Sequence, residues 1–145
     1  MPRFSIASRD AVPKDQVDAF DAIVSSRGGI VPEFGPVAVQ LHVPEIAQRG
    51  EMLRAYLRAE GSTLPDNVAE LAMITTAREL DCQFIWHAHA AAGRRAGLSN
   101  ALVDALRDKQ ELPPMLPAEL AVISYGREFF RTRRVSQATF DAALA

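Results

Sequence analysis

Three side chains able to move protons or attack an electrophile fall within the stretch ELAMITTARELDCQFIWHAH: Glu70, Cys82 and His89. Glu70 is the only charged residue between Ala69 and Ala77, and its helical neighbours three, four and seven residues on are Met73, Ile74 and Ala77. A carboxylate on so apolar a face must find a hydrogen-bond partner, take up a proton or border a water-filled pocket. Cys82 and His89 stand seven residues apart and so on one side of a helix. An acid next to an imidazole suits general acid–base work, and a thiol in the first turn of a helix is favoured as the nucleophilic thiolate. Seven residues rise about 10.5 Å along a helix, so Cys82 and His89 are not expected to touch; a water or Glu70 would bridge them. Ile85 occupies the surface between them, where a thiol or carboxylate would complete a relay. Each group also has a plainer reading. Cys82 would then be a small buried hydrophobe, His89 a core imidazole satisfied by a carbonyl, and Glu70 an early-helix carboxylate favoured by the dipole. Trp86 reads as core or pocket wall. His87 points away from the His89 stripe, toward solvent or an interface, and His42 is left unplaced by the pattern. These histidines lack a tight ligand spacing, so no metal site is expected.

The elements that must hold these groups read as helices almost throughout. A first helix spans Asp15 to Ser26, with Val17, Phe20, Ile23 and Val24 on one face, and stops at Gly28-Gly29. Residues 28–37 are rich in glycine and proline and read as a loop. Val37 to Val43 has the composition of a short strand, but its brevity and lack of a partner favour a helical turn. Pro44 opens a helix to about Glu60 with Ile46, Leu53, Tyr56 and Leu57 inward, and Gly61-Ser62 break it. Pro65 starts the helix of Glu70. Asp81 reads as the cap of the next helix, which ends at Gly97 with Leu98 making the apolar contact of a Schellman stop. That helix carries Ala88, Ala90, Ala91, Ala92, Gly93 and Ala96, a density of small residues that suggests a central helix crossed closely by others, or a subunit interface. Ser99 caps a helix from Asn100 to Lys109 with Leu102, Val103 and Leu106 inward. A further helix runs from about Pro117 to Arg131, and Val135, Ser136 and Phe140 form a staple around a capping serine before a short last helix. The pattern is that of an all-α bundle in one domain, residues 1–145.

Bulk properties exclude several classes. A chain of 145 residues, 48% hydrophobic and 23% charged, has the composition of a soluble globular protein. A net charge of −2 gives no overall pull toward nucleic acid or anionic membrane. Arg127, Arg131, Arg133 and Arg134 read as cations at a helix C-terminus, not as a phosphate patch. One cysteine rules out an internal disulfide and any multi-cysteine zinc arrangement. No signal peptide or membrane-spanning run is apparent, and a cytoplasmic location is expected.

The spacing Glu70, Cys82, Trp86, His89, followed by AAAGRRAGLS and preceded by LHVPEIAQRGEMLRAYLRAEGSTLP, resembles the carboxymuconolactone decarboxylase family over roughly residues 36–140. The resemblance implies the all-helical fold shared with alkyl hydroperoxidase D, a homo-oligomer (dimer, trimer or hexamer), and no organic cofactor. It also implies Glu70, Cys82 and His89 as catalytic residues. Hydroperoxidase-type members carry a Cys-x-x-Cys pair; here the second position is Ile85. Many members of the non-redox branch place a glutamate there, and decarboxylases of the lactone itself often lack the cysteine. Three functions follow as expectations. One is a cofactor-free lyase on a small carboxylated lactone or related acid, with His89 as proton donor, Glu70 orienting it, Ile85 and Trp86 lining the substrate, and Arg54 or Arg58 holding its carboxylate. Another is a single-cysteine hydroperoxide reductase acting through Cys82 with an external thiol as reductant. The last is a non-catalytic oligomer on the same scaffold.

Overall fold

The computed structural model describes residues 4–60 and 62–145, so Gly61, the expected helix breaker, lies outside the described residues. Eight α-helices and no strand are present among the described residues: α1 (Val17–Ser25), α2 (Pro36–Gln40), α3 (Pro44–Ala55), α4 (Asp66–Glu79), α5 (Gln83–Arg95), α6 (Asn100–Asp108), α7 (Pro117–Thr132) and α8 (Gln137–Leu144). The all-α reading holds, and the 37–43 segment adopts the helical alternative as α2. Among the described residues no helix is long and apolar enough to cross a membrane. The chain forms two compact units, Met1–Ser62 and Thr63–Ala145.

In the first unit α1 packs on α3 around Ala7, Val12, Phe20, Ile23, Leu41 and Ala47. Gly28 and Gly29, at φ 68° and 83°, turn the chain out of α1 in the left-handed region that side chains resist. The inward face of α3 is not the expected one. Ile46, Leu53, Tyr56 and Leu57 are all more than half exposed, and the helix buries Pro44 and Ala47 instead. Small residues let α3 approach its neighbours closely, which leaves the large apolar residues on the opposite side. Beyond Ala55 the helix widens into one π-turn, Tyr56–Glu60.

In the second unit α4 packs on both α5 and α7, and its buried residues Val68, Glu70, Leu71, Ile74, Thr75 and Ala77 lie on several sides of its axis. The central helix is therefore α4. The sequence reading gave that place to α5, but Ala88 and Ala91 of α5 are exposed, and Ala90 and Gly93 are the residues it buries. Leu71 and Ile74 of α4 join Ala90, Leu98, Leu102, Val103, Leu106 and Ile123 in one core. On the α7 side the approach is close enough that a Cβ on Gly126 would lie 2.9 Å from Thr75 Cγ2. Further along, Arg131 grips Glu79 through two hydrogen bonds of 2.7 Å. This cation serves as an interhelix clamp as well as a helix-end charge.

The α4–α5 turn departs from expectation in one respect. Asp81 does not cap α5; it is the left-handed residue (φ 49°) that stops α4. The Cys82 N–H donates to Ala77 O at 2.8 Å, the bond of a Schellman stop, with aspartate where glycine is usual. Cys82 is therefore the N-cap residue of α5, without a side-chain cap hydrogen bond. At the other end of α5 the expected stop is present: Gly97 is at φ 104°, and Leu98 N–H donates to Gly93 O at 2.9 Å. Ser99 and Ser136 cap α6 and α8 by accepting from the N–H groups of Leu102 and Thr139.

Candidate active site

Glu70 and His89 meet across the α4–α5 contact. His89 Nδ1 lies 2.7 Å from Glu70 Oε2, within the range of a charge-assisted hydrogen bond. The Glu70 side chain is 9% exposed and that of His89 20%, so the carboxylate is held inside the unit while the ring keeps an edge toward solvent. The local sequence accounts for this. Glu70 lies beside Leu71 and one turn before Ile74, both fully buried, so the face that anchors α4 carries the carboxylate inward. His89 precedes Ala90 and lies one turn before Gly93, the two residues α5 buries. With the carboxylate ionised, Nδ1–H donates to it and Nε2 is the nitrogen left for a reacting group, the tautomer being set by the carboxylate.

Cys82 stands apart from that pair. It is half-buried and lines a cleft of about 190 Å³ together with Ala77, Arg78, Asp81, Gln83, Trp86 and Arg107; neither Glu70 nor His89 is among the walls. The cations of the cleft are matched by neighbouring carboxylates. Arg78 pairs with Asp81 at 3.0 Å, and Arg107 with Asp108 and Asp104, each at 2.9 Å. Trp86 lines the same cleft and packs against the core, while Ile85 is half-buried on α5. His87 is exposed, as its position on the helix requires. His42 belongs to the first unit, where its Nε2 lies 3.0 Å from Ser5 O and its ring contacts Phe4. Arg54 and Arg58 are also residues of the first unit, both exposed, and Arg54 is engaged by Glu51. Among the described residues no group of three or more His, Cys, Asp or Glu side chains could hold a metal ion.

The model of the carboxymuconolactone decarboxylase family matches residues 44–128, which take in the helices of Glu70 and His89 with the turn of Cys82 between them. The chain belongs to that family. No curated protein and no solved structure matches it. In this carboxymuconolactone decarboxylase-family chain His89 meets Glu70 of α4 from the middle of α5, and Cys82 stands at the start of that helix as its N-cap residue.

The sequence reading missed two features around the pair. Gly93 stood there only as one small residue among several, yet its position one turn after His89 marks it as facing the same neighbour. The Glu79–Arg131 clamp joins residues 52 positions apart, a separation that no helical spacing rule covers.

Proposed function

We propose that this protein is a cofactor-free carboxy-lyase acting on a small carboxylated lactone or related acid through the Glu70–His89 pair. The observation that supports it is the 2.7 Å contact between a buried carboxylate and a partly exposed imidazole. Loss of CO2 from carbon leaves the bonding electron pair on the substrate, where an adjacent carbonyl can hold it until a proton arrives. His89 in its imidazolium form donates that proton from Nε2 to the carbon and becomes neutral. Glu70, bonded at Nδ1, fixes the ring and stabilises the protonated form between turnovers, as a buried carboxylate does for an imidazole in other acid–base sites. Ile85 and Trp86 would shape the apolar side of the substrate.

The half-buried thiol in its own cleft favours a second reading, a hydroperoxide reductase in which Cys82 is oxidised and an external thiol reduces it. Its separation from His89 weighs against this, as does Ile85 at the position of a resolving thiol. One pair of variants separates the two. Release of CO2 from a carboxylated lactone that survives Cys82→Ser and disappears in His89→Ala supports the lyase. Hydroperoxide consumption with dithiothreitol that disappears in Cys82→Ser would replace it. Inactivity of the native chain in both assays would favour a scaffold without catalysis. We also propose a homo-oligomer, a reading supported by the exposed apolar residues of α3.

A further inference from the structure

We propose that Gly93, acting with Leu98, sets how closely α5 lies against α4 at the Glu70–His89 pair, and so is a positioning residue for that site. The inference rests on the acid–base reading above and deepens it by naming what holds the pair at bonding distance.

Gly93 is buried and lies one turn beyond His89 on the same stripe of α5. A Cβ at this position would lie 2.8 Å from Leu98 Cδ1 on one side and 3.5 Å from Glu70 Cβ on the other. The first separation is well inside carbon–carbon contact and the second is at it. Residue 93 thus sits between Leu98 and the root of the catalytic carboxylate's own side chain, with no room to move from one toward the other. Leu98 cannot simply withdraw. Its N–H is bonded to Gly93 O at 2.9 Å, and its side chain, 3% exposed, belongs to the same core as Leu71, the neighbour of Glu70 on α4. The clashing atom is the end of the Leu98 side chain, so a methyl group at 93 presses that buried side chain further into the core or moves α5 off α4. A shift of α5 lengthens the separation of Glu70 and His89, and about half an ångström takes a 2.7 Å contact to the outer limit of a hydrogen bond. Glycine is otherwise a poor residue for a helix interior, so the close packing is what calls for it here.

The test reads the tautomer of His89 by imidazole 15N NMR on the whole protein, at a pH where the ring is neutral. In the native chain the carboxylate at Nδ1 makes the Nδ1–H form dominant. Gly93→Ala is expected to reduce that form to a minority, and Gly93→Ala with Leu98→Ala is expected to restore it, because the shortened side chain vacates the clashing position. If Gly93→Ala keeps the Nδ1–H form dominant, or the double variant fails to restore it, the positioning role is overturned. Should Gly93→Ala not fold, the double variant still decides, since it must fold and hold the Nδ1–H form. Glu70→Leu, which leaves Nδ1 no acceptor at that position, is the separate control for the pair. Its failure to change the tautomer would overturn the acid–base reading itself, whatever Gly93 does.

Discussion

A buried carboxylate that only orients an imidazole has a different mutational signature from one that binds substrate. Glu70→Gln keeps the shape and a polar group, so the fold and KM should be little changed. The loss falls on kcat, by on the order of 10²-fold or more, the usual scale for one acid–base group. Steady-state kinetics with circular dichroism checks this, and a change in KM alone would instead make Glu70 a binding residue. Thr75 offers a test of opposite sign. Its hydroxyl is buried and has no hydrogen-bond partner among the described residues, while its methyl packs at Gly126. Thr75→Val keeps the methyl and removes the unsatisfied oxygen, so chemical denaturation should show a gain of about 1 kcal/mol. At this scale the sequence was informative where chemistry and local spacing coincide. A lone carboxylate on an apolar helix face and a histidine on the next helix were enough to expect the pair. The same spacing put Cys82 on the His89 side of one helix with a bridge between them, and a Cys82 cleft without Glu70 or His89 in its walls was not expected. What the pattern could not supply was which unit Arg54 and Arg58 would belong to, because unit boundaries depend on contacts distant in sequence.

Helix ends were legible where their residues have one strong preference. Gly97 with Leu98, and the capping serines 99 and 136, are present as expected because few other arrangements satisfy those backbone groups. Asp81 misled because aspartate serves both as an N-cap and, less often, in the left-handed position; here the stop of α4 took precedence. Between elements, the Arg131–Glu79 clamp carries its own pH dependence. The hydrogen bonds from Arg131 hold the Glu79 carboxyl below its ordinary value of 4.5, against a smaller opposing effect of burial. A carboxyl depressed in the folded state contributes stability that is present above the unfolded value and is lost as pH falls through the folded one. Glu79→Gln should therefore cost about 1 kcal/mol at neutral pH, the upper end for a partly exposed pair. That difference should shrink toward zero as both proteins are taken well below pH 4.5. Urea titrations at the two pH values measure it, and a difference that persists in acid would assign Glu79 a packing role instead.

For the whole molecule, the informative error in the sequence reading is the orientation of α3. Periodicity finds an apolar stripe but does not say whether it faces the chain's own core or another surface. Ile46, Leu53 and Leu57 lie on one side of the helix, each more than half exposed, and Pro44 and Ala47 lie on the buried side. Large aliphatic side chains grouped in this way are the basis of the self-association proposed above. If copies of this chain pair through that stripe about a two-fold axis, every substitution on it is made twice in the interface. Burial of one leucine contributes about 2 kcal/mol, so replacing Leu53 with a charged residue removes about 4 kcal/mol per dimer, before any cost of burying the charge. That corresponds to a weakening of roughly 10³-fold, enough to separate subunits at micromolar concentration. Light scattering after size-exclusion chromatography should show the native chain as an oligomer and Leu53→Arg as a smaller species. A native chain that runs as a monomer, or a variant of unchanged mass, would leave the α3 stripe without a role in self-association.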